Sequence, residues 1–154
     1  METLFSVLHV VGAVFIVGPM AILPMSAMRA VRAGNASQVS TLAKSTNLFA
    51  LLSLIVFVLG FGLVGMADPK YHLSVGTPWV LWSVILYVVA LGLTLFLVVP
   101  TMRRAAEQLG ETAAAAEGDA PAANARPSYP AIAAGSGVAS LLLVAVVVLM
   151  VWKP

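Results

Sequence analysis

Four unbroken apolar runs, each about 20 residues long, decide what this chain can fold into. They cover about Leu4–Met28, Leu48–Ala67, Trp79–Val99 and Ala131–Val151, and none contains Lys, Arg, Asp or Glu. At about 1.5 Å per residue a helix of that length crosses the roughly 30 Å hydrocarbon core of a bilayer. Barrel strands would alternate over short segments, whereas these runs are continuous. In lipid every backbone N–H and C=O must be paired within its own segment, which leaves helices. Only 9% of the 154 residues are charged; soluble domains carry about 25%, so there are too few to coat a surface facing water. The expected fold is all-α: one polytopic domain forming a four-helix transmembrane bundle.

The charged residues predict its orientation. Arg29, Arg32 and Lys44 lie between the first and second runs, and Arg103, Arg104 and Arg126 between the third and fourth; Lys70 and Lys153 are left for the other side. Cations accumulate in cytoplasmic loops. Segments 29–47 and 101–130 are therefore expected in the cytoplasm and both termini outside, in a cell (inner or plasma) membrane. Trp79, Trp82 and Trp152 fall at the outer ends of their helices, Tyr71 in the outer loop, and Tyr129 at the inner boundary. Such residues favour the headgroup layer, having one apolar and one hydrogen-bonding edge. A cleavable signal carries its positive residues before the apolar stretch. Here Glu2 precedes it and Arg29 and Arg32 follow, so the first segment is expected to be retained.

The connections are less regular. Asn35 to Thr46 is polar and is expected to add a turn or two of helix before the second span, with Ser37 as the N-cap. Met102, Ala105, Ala106 and Leu109 fall at helical spacing, so the third helix should continue past Pro100 into water. Gly110–Pro130 is rich in Ala, Gly and Pro and reads as a flexible cytoplasmic tether. Leu23-Pro24-Met25-Ser26-Ala27-Met28-Arg29 and Val99-Pro100-Thr101-Met102-Arg103-Arg104 close the first and third spans alike. Either two apolar helices each end at a proline and a cytoplasmic arginine, or two related hairpins pack side by side.

Composition excludes several chemistries. The chain has no cysteine, which removes disulfides, zinc–thiolate sites, iron–sulfur clusters and thiol catalysis. Eight Lys and Arg make no concentrated basic face for nucleic acid. The spans hold no Ser/His/Asp set, carboxylate pair or phosphate loop, so no catalytic residue is assigned. Gly60-Phe61-Gly62-Leu63-Val64-Gly65 matches G-x-G-x-x-G but closes an apolar helix, so it lacks the strand–turn–helix context of a dinucleotide site. Gly60, Gly62 and Gly65 read instead as a surface for close helix packing, as do Gly135 and Ala139 in the fourth run. Pro19 and Pro24 should bend the first span. Asn47, Ser53, Ser83 and Thr94 are polar enough to bond across helices.

His9 is the most informative single residue, because an ionisable group within a span points to function. On a helix it shares a face with Phe5, Gly12, Ala13 and Ile16, while Leu4, Leu8, Val11 and Phe15 line the opposite, lipid-facing side. Two readings stay open. His9 is an axial ligand to haem b or a ligand to copper, with Met66 or His72 as the second ligand. Alternatively it is a neutral imidazole bonded to a neighbouring helix, and no cofactor is held at all.

The stretch Leu8-His9-Val10-Val11-Gly12-Ala13-Val14-Phe15-Ile16-Val17-Gly18 resembles the first helix of a bacterial family of predicted four-helix integral membrane proteins of unknown function. It is also similar to the first helix of copper-resistance D-type proteins and of the membrane protoporphyrinogen oxidase that binds haem. The resemblance implies a haem or copper ligand at His9. The third span has no lysine or histidine, in which the chain departs from those enzymes. The expectation is a membrane protein without catalytic machinery, packing in the bilayer against other membrane subunits or itself as an accessory component, with a haem- or copper-binding protein as the alternative.

Overall fold

The computed structural model describes residues 2–66, 74–117 and 129–153. Among the described residues, six α-helices, α1 (Glu2–Gly12), α2 (Gly18–Arg32), α3 (Ala36–Met66), α4 (Pro78–Leu93), α5 (Val99–Glu117) and α6 (Tyr129–Trp152), make up most of the structure together with two π-helical turns, Ala13–Val17 and Thr94–Val98. The π turns join α1 to α2 and α4 to α5, giving four helices long and apolar enough to cross a membrane: Thr3–Arg32, Ala36–Met66, Pro78–Ala116 and Tyr129–Trp152. The described residues contain no strand. The first span packs on the second, the second on the third, the third on the fourth and the fourth back on the first.

A sharp turn joins α2 to α3. Gly34 has φ +68°, a conformation that costs any residue with a Cβ about 1–2 kcal/mol. Its N–H meets the Val31 carbonyl at 3.1 Å, and the Asn35 N–H meets that of Ala30 at 3.0 Å, so these two carbonyls near the end of α2 are satisfied. Asn35 then caps α3 with its own side chain, Oδ1 accepting the Gln38 N–H at 3.0 Å. The cap is thus Asn35 and not Ser37, because the glycine turn delivers the chain in helical register two residues earlier. The third span also departs from expectation. The helix continues through Gly110 to Glu117, since an alanine-rich segment is a good helix former. The flexible tether expected from Gly110 does not begin there, and its remainder, with Arg126, lies outside the described residues.

The two π turns share a cause. In each, an N–H bonds five residues back rather than four: Gly18 to the Ala13 carbonyl and Val99 to that of Thr94. A proline follows immediately, Pro19 or Pro100. A proline ring clashes with the carbonyl four residues before it, here that of Phe15 or Phe96, and the widened turn makes room. The first and third spans therefore correspond through Pro19 and Pro100, not through Pro24 and Pro100 as their sequences suggest. Pro24 is buried within α2.

Two cores stack along the axis. One, at the end carrying the arginines, joins Ala27, Ala30, Val39, Ala43, Met102, Ala105 and Ile132. The other lies in the apolar zone and joins Met20, Ala50, Tyr87, Ala90, Leu143 and Val146. Cationic side chains fasten both ends of α6. The Arg32 guanidinium donates to the Tyr129 hydroxyl and lies 4.7 Å from its ring centroid; Lys153 Nζ stands 5.9 Å from the Trp79 ring centroid.

Candidate functional site

The exposures of the first span divide as its periodicity predicts. Leu4, Leu8, Val11 and Phe15 are 46–70% exposed, whereas Phe5, His9, Gly12, Ala13 and Ile16 are half-buried. His9 thus turns toward α3. Its Nδ1 lies 2.9 Å from the Val56 carbonyl oxygen. A carbonyl only accepts, so Nδ1 carries the proton, and in the neutral ring Nε2 keeps its lone pair.

Glycines make this approach possible. A Cβ at Gly60 would stand 3.1 Å from His9 Cε1, and one at Gly62 would stand 3.3 Å from the Phe5 ring. A Cβ at Gly12 would come within 2.8 Å of Val56 Cγ2. Gly12 and His9 are three residues apart on one face, so the side chain and the carbonyl of Val56 hold the same turn of α1. On the far side of the bundle, Gly135 accepts Leu97 and Val98, each 3.1 Å from where its Cβ would stand, and Ala139 is buried. Among the described residues nothing lies within 4 Å of where a Cβ at Gly65 would stand. Gly12, Gly60, Gly62 and Gly135 thus face neighbouring helices of the same chain.

The sequence reading did not single out Tyr87, the second polar group in the apolar zone. Its hydroxyl lies 2.7 Å from Ser53 Oγ, which in turn donates to the Ala50 carbonyl at 2.7 Å, so Tyr87 donates to Ser53. Phe57 stacks on the Tyr87 ring at 4.7 Å and meets Phe61 edge-on at 4.8 Å. Its signal was position: a tyrosine in mid-span, far from the headgroup layer that tyrosines favour, must find a buried partner. Tyr87→Phe leaves the ring stack and removes one bond between the second and third spans. We expect a loss of about 0.6 kcal/mol, the usual worth of such bonds in membranes, read from unfolding of the protein in mild detergent. Of the other polar residues, Ser83 and Thr94 bond carbonyls of their own helix, while Ser140 crosses from α6 to the Ala21 carbonyl at 3.3 Å.

Two further candidate donors, Met66 and His72, accompany His9 in the sequence. His9 meets α3 at Val56 and Gly60, and Met66 lies six residues further along, about 9 Å at helical rise. His72 lies outside the described residues. Among the described residues no three His, Cys, Asp or Glu side chains form a metal-binding group. Among the described residues the imidazole is placed by α3 alone, through Val56 and Gly60.

A third feature lies at the basic end. Ala36, Ser37, Ser40 and Lys44 of α3 and Arg103, Ala106 and Glu107 of α5 line an open cleft of about 530 Å³. A shallow apolar groove of about 290 Å³, lined by Leu54, Ile55, Val58 and Leu59, marks the outside of the second span.

No curated protein and no solved structure matches the chain. Residues 3–154 match one family model, however, and with four apolar helices of spanning length the chain belongs to that family, described as "Predicted integral membrane protein (DUF2269)".

Proposed function

We propose that this protein is a non-catalytic subunit that works by packing laterally against another membrane protein. The groove formed by Leu54, Ile55, Val58 and Leu59 carries the reading: it is wholly apolar, faces outward from α3, and has room for a partner's side chain. Cover on this side is light. In the most apolar window of each span, 11% of the first and 17% of the second is buried, against 33% of each of the others. The polar groups of the apolar zone are meanwhile engaged inside the bundle: His9 on Val56, Tyr87 on Ser53, and Ser140 on Ala21. Helices in lipid associate through such shape matching rather than through hydrophobic drive. The cations of α2, α3 and α5 support a cytoplasmic position for the basic end and an outer position for both termini. We expect purification in mild detergent to recover a fixed membrane partner. Val58→Trp, which fills the groove, should abolish that recovery while leaving the helical content unchanged. A chain that runs alone, or keeps its partner as Val58→Trp, overturns the reading.

Among the described residues His9 Nε2 has no hydrogen-bond partner, which favours a second reading, binding of haem or copper with His9 as a ligand. Metal-bound histidines commonly donate their other ring nitrogen to a carbonyl, as His9 Nδ1 does. A Soret band, or bound copper, that disappears in His9→Ala would establish it. A colourless, metal-free preparation rejects it.

A further inference from the structure

The cleft between α3 and α5 combines two cations, two hydroxyls and one carboxylate at a defined depth. Lys44 lies four residues before Leu48, where the apolar run of α3 begins, and Arg103 four residues after Val99, where that of the third span ends. Each is therefore about 6 Å beyond the hydrocarbon, and the headgroup layer is about 5–7 Å thick on each side. Ser40 and Glu107 lie one turn further out on the same two helices, and Ser37 close to another. From the hydrocarbon outward the cleft thus presents first a pair of positive charges, then a carboxylate with hydroxyls.

From this order we propose that the cleft is a binding site for the headgroup of a membrane aminophospholipid. The phosphodiester lies nearest the acyl chains and meets Lys44 and Arg103, with charge-assisted bonds from the ammonium and the guanidinium. The distal ammonium projects toward water and meets Glu107, and Ser40 adds a hydroxyl donor to the phosphate. A free phosphate has the charge for the inner pair but no cation for Glu107. Phosphatidylglycerol matches the inner pair but presents a neutral glycerol to the carboxylate, which then lacks a cationic partner. Basic clefts between spans are recognised sites for lipid headgroups on the cytoplasmic side; here the carboxylate adds the preference for an amine. The site is remote from the groove of the second span and does not depend on the lateral-packing reading.

The test is lipid retention by the full chain released from nanodiscs of equal parts phosphatidylethanolamine and phosphatidylglycerol, read by native mass spectrometry. Wild-type protein should retain phosphatidylethanolamine in preference. Lys44→Gln with Arg103→Gln should lower that retention about tenfold or more, the worth of one or two hydrogen bonds to charged groups. Lys44→Arg should keep most of it. Glu107→Gln should reverse the preference toward phosphatidylglycerol. Arg104→Gln supplies the charge control, because Arg104 is exposed but does not line the cleft. Circular dichroism of each variant confirms that the helices persist. Equal loss in Arg104→Gln, a wild-type preference for phosphatidylglycerol, or displacement of the lipid by millimolar inorganic phosphate would overturn the proposal.

Discussion

Gly12→Leu should force the first and second spans apart and break the His9 bond in the same step. A single Cβ at this position would already lie 2.8 Å from Val56 Cγ2, closer than carbon atoms approach. Val56 is β-branched and 5% exposed; its χ1 has one favoured setting on a helix, so it has little freedom to move aside. Three further carbons deepen the conflict, and overpacking of this kind costs about 1–3 kcal/mol. Because the Val56 carbonyl also receives the His9 proton at 2.9 Å, any withdrawal of α1 from α3 removes that bond too, worth about 0.6 kcal/mol in a membrane. Gly65→Leu is the matched control: it carries the same gain in helix propensity, up to about 1 kcal/mol, and among the described residues nothing lies within 4 Å of that glycine's missing Cβ. Equilibrium unfolding in mild detergent should therefore place Gly12→Leu well below wild type and Gly65→Leu near it. His9→Ala combined with Gly12→Leu should cost less than the two changes summed, since both act through Val56. Equal stability of the two leucine variants would mean that α1 does not seat on α3 as described.

Much of this architecture is legible without coordinates because a bilayer imposes a one-dimensional code. Run length and the requirement for internal backbone pairing define the spans, and helical periodicity assigns Leu4, Leu8, Val11 and Phe15 to the outside of the first. What stayed hidden depends on objects the sequence does not encode locally. The partner of His9 is a backbone carbonyl, and every residue has one; only the pairing of α1 with α3 selects Val56. The start of α3 turns on a choice between two good capping residues, Asn35 and Ser37, and the left-handed conformation of Gly34 decides it. Prolines in the first and third spans announce a disturbance, but whether a helix kinks or widens depends on what surrounds it. Both spans take the π turn. The cleft between α3 and α5 is the least legible feature, because Lys44 and Arg103 are 59 positions apart (103 − 44) and share one space only once α3 and α5 are packed.

The largest loss from a single truncation should come from Met102→Ala, and the reason is where its core sits. Within hydrocarbon, burying an apolar side chain gains little, because lipid tails are as apolar as the protein interior. Met102 lies three residues beyond Val99, about 4.5 Å past the apolar run, in a region that water reaches. There the hydrophobic effect operates as in a soluble domain. Met102 is fully buried, in the cluster with Ala27, Ala30, Ala43, Ala105 and Ile132. Alanine neighbours are too short to close the space left behind, so the loss should be about 2–5 kcal/mol. Leu141→Ala removes a similar volume from a side chain that is 72% exposed toward lipid and should cost far less. Trypsin gives a local readout through Arg103 and Arg104, which lie exposed on α5 in the turn after Met102: a helix cut there must first open. Cleavage at this pair should accelerate steeply in Met102→Ala and stay near the wild-type rate in Leu141→Ala. If the two variants were cut and unfolded alike, the arginine end of the bundle would not be held together by a water-driven core, and α3 and α5 would need another source of cohesion beyond the bilayer.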